Sequence, residues 1–197
     1  ERIDFYWLHR DAPSLPADAI LEPLERFREE GKVRWIGCSN WRASRVAEAR
    51  DAARKAGVPG FCAVQDRWSL AALNPGASPD PTLVAMDDDL YALHLETGLA
   101  AIPYSAQAGG YFAKRARDPA TDPAADPAAM PRHLQAAHDN PLNDRRLHRL
   151  LEMARTLDTT VSRLSLAFLL AQPFPTIPIV GPRTPAQLAD LDAALDL

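Results

Sequence analysis

The sequence predicts an α/β protein, a parallel sheet covered by helices, and three features predict it. Short runs rich in apolar, β-branched and aromatic residues alternate with helical stretches along the chain. Each intervening stretch is long enough for a right-handed crossover back to a parallel neighbour. Glycine or proline stands at most of the junctions. The 197 residues, 47% hydrophobic and 24% charged, suit one globular domain spanning 1–197.

The first run, IDFYWL at Ile3 to Leu8, reads as a strand. Residues 16–30 follow as a helix in which Ile20, Leu21, Leu24 and Phe27 share a face. Pro16 stands at its start and Gly31 at its stop, while Pro23 in its interior marks a kink or a later start. Residues 33–38 (VRWIGC) make a second strand, 42–56 an alanine- and arginine-rich helix ending at Gly57, and 61–65 (FCAVQ) a third strand. After a proline-rich loop, a helix over 83–97 stops at Gly98, and 99–104 (LAAIPY) is a fourth strand. Repeated DPA units and further prolines make residues 118–141 an irregular excursion, with a short helix near Leu134. Helices follow over 143–157 and 161–172, the second with Leu164, Ala167, Phe168 and Ala171 on one face. TIPIV at 176–180 is a fifth strand, and 184–195 a last helix capped by Thr184 with Pro185 at its first position.

Composition narrows the function. The net charge is -4, with no electrostatic case for nucleic acid or an anionic membrane. No apolar run approaches the roughly 20 residues of a spanning helix, and the first residues lack a signal-peptide pattern. Cys38 and Cys62 fall in apolar runs with no CxxC or histidine partner, so they read as buried thiols in a reducing compartment, the cytoplasm. His94, His133, His138 and His148 read as solvated, and 87–89 as an exposed acidic helix face.

Parallel sheets bind ligands at the carboxyl ends of their strands. The residues just past each run are His9, Ser39 and Asn40, Gln65, Tyr104 and Ser105, then Gly181 and Arg183. An imidazole, two amides, hydroxyls, an aromatic ring and a guanidinium are thereby expected at one end of the sheet. Each has a bland reading beside the functional one. Asn40 suits a turn, Gln65 a tie from loop to backbone, and Arg183 a solvated surface. Trp41 lines a substrate mouth or packs in the core.

The runs DFYWLHR, GKVRWIGCSNW, AVQDRWSL, IPYSAQAGG and PIVGPRTPAQL, in this order, resemble successive landmarks of the aldo-keto reductases. The resemblance spans nearly the whole chain and is weakest over 118–141. It implies a TIM (β/α)8-type barrel and hydride transfer between NADP(H), or NAD(H), and an aldehyde or ketone. By the same resemblance His9 is the catalytic histidine that orients a small-molecule carbonyl substrate. Ser39, Asn40 and Gln65 hold the nicotinamide carboxamide, and Tyr104 stacks on the ring. Ser105, Gln107 and Gly110 belong to the pyrophosphate loop, and Gly181, Arg183 and Gln187 to the adenosine 2′-phosphate site. Trp41 is the candidate substrate contact.

Two departures stand out. Ala106 and Gln107 replace the Pro-Leu that follows the loop's serine in the family, and Leu191 stands where an Asn near the adenine is common. The family's catalytic Tyr, Lys and Asp precede the first landmark matched, so the chain reads as an incomplete barrel, strands four to eight. Such a piece has open edges at Ile3 to Leu8 and at 176–180, and the expectation is that upstream sequence or another chain closes it. Two other functions remain open at this point: an NADP(H)-binding regulatory module without turnover, and a different barrel enzyme holding a phosphorylated substrate near Arg183.

Overall fold

The computed structural model describes residues 1–78, 80–117 and 130–197, so residues 118–129 of the expected excursion lie outside the described residues. The chain forms two compact units.

The first unit comprises Glu1–Arg67, Asp80–Pro103 and Pro173–Ile177. Its elements are β1 (Ile3–Leu8), α1 (Ala17–Glu29), β2 (Val33–Ser39), α2 (Ala43–Ala56), β3 (Ala63–Gln65), α3 (Asp88–Thr97) and β4 (Ala100–Ala101). The sheet order is β1-β2-β3-β4 and every pairing is parallel, as the alternation of runs predicts. In register, Leu8 lies beside Cys38, Ser39 beside Gln65, and Val64 beside Ala101. The carboxyl ends of the first three strands therefore lie side by side. Leu21 and Leu24 of α1, Ile36 of β2, Val46 of α2 and Leu90 of α3 are buried together as the helix-facing core.

Pro23 lies inside α1, which runs unbroken through it. Position 37 is glycine for space: a Cβ there would meet the Trp7 ring of β1 at 2.4 Å. β1 itself is largely exposed, with Phe5 and Trp7 stacked at 4.5 Å.

Two expected elements are shorter and a third forms no strand. The helix expected over 83–97 begins only at Asp88, where the Asp87 carboxylate accepts the Leu90 N–H. Upstream, Arg67 donates its N–H to the Val84 carbonyl and accepts the Met86 N–H, so that stretch is drawn into an extended pairing. Of the fourth strand only Ala100–Ala101 keeps strand geometry; Ile102 donates once more to the Val64 carbonyl, and Pro103 has no N–H to continue the pairing. Residues 176–180 form no strand: Thr176 makes one isolated bridge to Ala101, between two prolines, Pro175 and Pro178. Four strands are present among the described residues where five are expected.

The second unit comprises Trp68–Pro79, Tyr104–Gln172 and Pro178–Leu197. A 3-10 turn at Ala108–Gly110 leads into α4 (Tyr111–Arg115), followed by α5 (Arg132–His138), α6 (Pro141–Thr156), α7 (Val161–Leu170), α8 (Pro185–Asp192) and a closing 3-10 turn. Tyr111, Phe112, Leu134, Leu150 and Leu164 make its core. Asn143 of α6 is fully buried and organises the loop before it. Its Oδ1 accepts the Ala72 N–H at 2.9 Å, and its Nδ2 donates to the Ala72 and His138 carbonyls. Thr184 caps α8 as expected, accepting the Gln187 N–H.

Two histidines expected in solvent are buried. His94 stacks on Phe174 at 5.1 Å with Nδ1 against the Leu99 carbonyl, and His138 packs on Tyr111 with Nδ1 against the Ala72 carbonyl. An imidazole is largely apolar once one ring nitrogen is bonded, so aromatic stacking draws it inward. No helix among the described residues is long and apolar enough to cross a membrane.

Candidate functional site

In the first unit the expected residues converge where β1, β2 and β3 end. His9 follows β1 and is exposed, Ser39 ends β2, Asn40 follows it, and Gln65 ends β3. The Ser39 hydroxyl donates to the Gln65 carbonyl at 2.6 Å and accepts from Asn40 Nδ2 at 2.9 Å. Asn40 Nδ2 also reaches the His9 carbonyl at 3.3 Å, and its Oδ1 accepts the Val84 N–H at 3.1 Å. One asparagine thus ties two strand ends and the 84–86 segment together. Arg10 closes the same corner, donating to the His9 carbonyl at 2.8 Å and to Thr82 Oγ1 at 2.9 Å.

This arrangement limits what the pair can offer a ligand. Both N–H groups of the Asn40 amide are engaged, whereas the Ser39 oxygen keeps an acceptor lone pair. The Gln65 side chain is half-buried and makes no hydrogen bond among the described residues. An acceptor hydroxyl beside a free amide suits a planar carboxamide. Of the two readings open for Trp41, substrate mouth or core, its surroundings match the core. It is fully buried, edge-on to Phe61 at 5.1 Å, with the Arg45 guanidinium over its ring. Burying an indole in the core outweighs leaving it at a mouth.

In the second unit, Ser105, Gln107, Gly110, Gly181, Arg183 and Gln187 all line one cavity of about 820 Å3. The loop at its edge is held in left-handed backbone at Ser105 (φ 55°), Ala108 (φ 47°), Gly109 and Gly110. For serine and alanine that conformation is uncommon and persists only where the surroundings impose it. Gln107 imposes part of it, donating Nε2 to the Ser162 carbonyl at 3.1 Å. Gln187 serves the backbone: its Oε1 accepts the Arg183 N–H at 2.7 Å. Tyr104 belongs to this unit, is half-buried, and accepts the Trp68 N–H on its carbonyl.

Lys114 and Arg117 also line the cavity and were not among the expected residues. Lys114 donates to the Gly109 carbonyl; burial first, then the charges of Arg183 and Arg117, hold its ammonium below the usual lysine range. Three cations that repel one another around a concave wall are satisfied by an anion. The signal was the basic run at 114–117, which follows the glycine pair at helical spacing. Asp66 was likewise missed. It is a carboxylate directly after Gln65, buried, and its Oδ1 accepts the Asn40 N–H at 2.5 Å.

The sequence profile of the Aldo/keto reductase family matches residues 1–197. The chain belongs to the aldo/keto reductase family. Among its relatives, the "Uncharacterized oxidoreductase YrpG" of Bacillus subtilis (strain 168) is 28% identical over 200 residues, covering 100% of this chain and 55% of that protein. The "Probable aldo-keto reductase 1" of Glycine max is 26% identical over 182 residues, covering 92% of this chain and 47% of that protein. The aldo/keto reductase chain described here spans about half the length of the curated relatives it matches.

Proposed function

We propose that this chain carries the coenzyme site of an NADP(H)-dependent oxidoreductase that reduces an aldehyde or ketone. The observation that carries the reading is the cavity of the second unit, where six residues singled out for coenzyme binding, Arg183 among them, are joined by two further cations, Lys114 and Arg117. That donor set fits a dinucleotide carrying an extra phosphate. Arg183 stands just before the Thr184 cap of α8, with its N–H fixed by Gln187. Lys114 and Arg117 add charge across the same wall, and the left-handed loop from Ser105 to Gly110 brings main chain close to it.

When bound, the reduced nicotinamide supplies a hydride to the carbonyl carbon. This chain's own groups would orient the partners: in the first unit, Ser39 and Gln65 would fix the carboxamide so that one ring face is presented. His9, exposed past β1, donates a hydrogen bond to the carbonyl oxygen as charge develops there.

Thermal unfolding with NADPH, NADH and neither tests the reading. A ligand at about 100 times its dissociation constant stabilises the folded state by roughly 2.7 kcal/mol. NADPH is expected to raise the midpoint more than NADH, and Arg183→Ala to remove the difference while leaving the midpoint without ligand unchanged. Equal shifts, or none, would reject the phosphate assignment. Binding without oxidation of NADPH by any carbonyl, in the full-length protein, would favour the regulatory module.

A further inference from the structure

Asp66 is three per cent exposed and sits where β3 ends, beside the turn that carries Asn40. Asn40 is in left-handed backbone, φ 60°, although it is not glycine. Its N–H points at Asp66 Oδ1 from 2.5 Å, and the Trp41 N–H also bears on the carboxylate. The other oxygen, Oδ2, is buried and has no hydrogen-bond partner among the described residues. A buried carboxylate with one engaged and one orphaned oxygen is costly unless the bond that it makes is needed.

We propose that Asp66 is a positioning residue: by accepting the Asn40 N–H it holds the Ser39–Trp41 turn in the conformation that sets the ligand-facing groups of Ser39 and Gln65. The functional half rests on the reading that these groups meet a nicotinamide carboxamide. The structural half does not. The Asn40 and Trp41 N–H groups favour an ionised Asp66, but burial with an orphaned Oδ2 opposes it more strongly, so the neutral form is preferred, and ionisation drives water toward Oδ2 and opens the turn. Charges around it leave this preference in place. The titratable groups that bear on the site are acidic: Asp87 at the cap of α3 raises its proton affinity, and Cys38 of β2 is a buried thiol in its field. No ion pair reaches Asp66 among the described residues, since Arg10 is bound to Asp80 and Arg45 to Asp11. Burial, the largest cause, lifts the Asp66 carboxyl to about 7, within reach of an ordinary pH series.

Amide hydrogen exchange, corrected for the intrinsic rate, reads the turn directly without ligand. Asp66→Leu is expected to speed exchange at Asn40 and Trp41 about tenfold while the interior of β2 and α2 keeps its protection. In the wild-type chain, protection at these two amides is expected to fall several-fold from pH 6 to pH 8. Asp66→Asn, which keeps an acceptor but cannot ionise, is expected to hold it constant. Unchanged protection in Asp66→Leu, or loss spread evenly over the unit, would overturn the proposal. So would the same pH response in wild type and Asp66→Asn, a comparison that stands even if the leucine variant does not fold. NADPH affinity is expected to follow the same pattern, weakening several-fold toward pH 8 in wild type and flat in Asp66→Asn. If the wild-type chain binds no nicotinamide coenzyme at any pH, the proposed function fails, and the exchange data still decide the role of Asp66.

Discussion

Asp66 and His94 are both buried titratable side chains of the first unit, and protonation moves stability in opposite directions at the two. The Asp66 carboxyl, lifted by burial from 3.8 to about 7, holds a proton in the folded state that the unfolded chain has released. Its contribution is complete below pH 3.8 and is lost as the pH rises through 7, by up to about 1.4 kcal/mol per unit. Urea unfolding from pH 4.5 to 7.5 is expected to show a flatter profile for Asp66→Asn than for wild type (about three units of pH, by the same linkage). Burial lowers the proton affinity of His94, despite its bond to the Leu99 carbonyl. Its contribution is present above the ordinary histidine range and is lost as the pH falls below it. His94→Leu is expected to remove that acid-side loss and to cost about 1 kcal/mol at pH 7.5, since the Leu99 carbonyl loses its partner. His94 was partly legible: it follows the buried Leu90 by four residues on α3 and so shares its face. Phe174, which stacks on it, is 80 residues away in sequence and left no local trace.

Elements were read well where local physics decides them. The first two strands and the first two helices fall within a residue or two of their expected bounds, because apolar periodicity and glycine stops act over a few residues. Elements that depend on partners were read poorly. The stretch upstream of Asp87 has helical composition but pairs with Arg67, and 176–180 has strand composition but prolines where donors are needed. Two substitutions test what holds the elements. Gly37→Ala puts a methyl group into the Trp7 ring and is expected to destabilise β1 against β2 by about 1–3 kcal/mol in urea unfolding. Asn143→Ala deletes three hydrogen bonds that a fully buried amide makes to Ala72 and His138 and is expected to cost at least about 2 kcal/mol. A fall of less than half that in either case would mean that the neighbours relax.

At the scale of the whole molecule, the cation cluster makes a prediction that composition hides. The net charge is -4, yet Lys114, Arg117 and Arg183 line one cavity. Stabilisation by NADPH is therefore expected to fall steeply between 0.05 and 0.5 M salt, about the range over which the Debye length shrinks from some 14 to 4 Å, while that by NADH falls less. Calorimetric titration at the two ionic strengths checks this; equal losses would remove the cations from the phosphate. The sequence by itself determined the class of the protein, the parallel order of strand and helix, the family, and most of the residues at the strand ends, because these follow from short-range pattern. Only the tertiary structure decided what those residues do for one another. Asn40 ties two strand ends, Gln187 fixes the Arg183 backbone, Trp41 leaves the surface for the core, and Asp66 sits buried under the turn. Each depends on a partner distant in sequence or on burial, and burial is a property of the packed chain, not of any stretch of it.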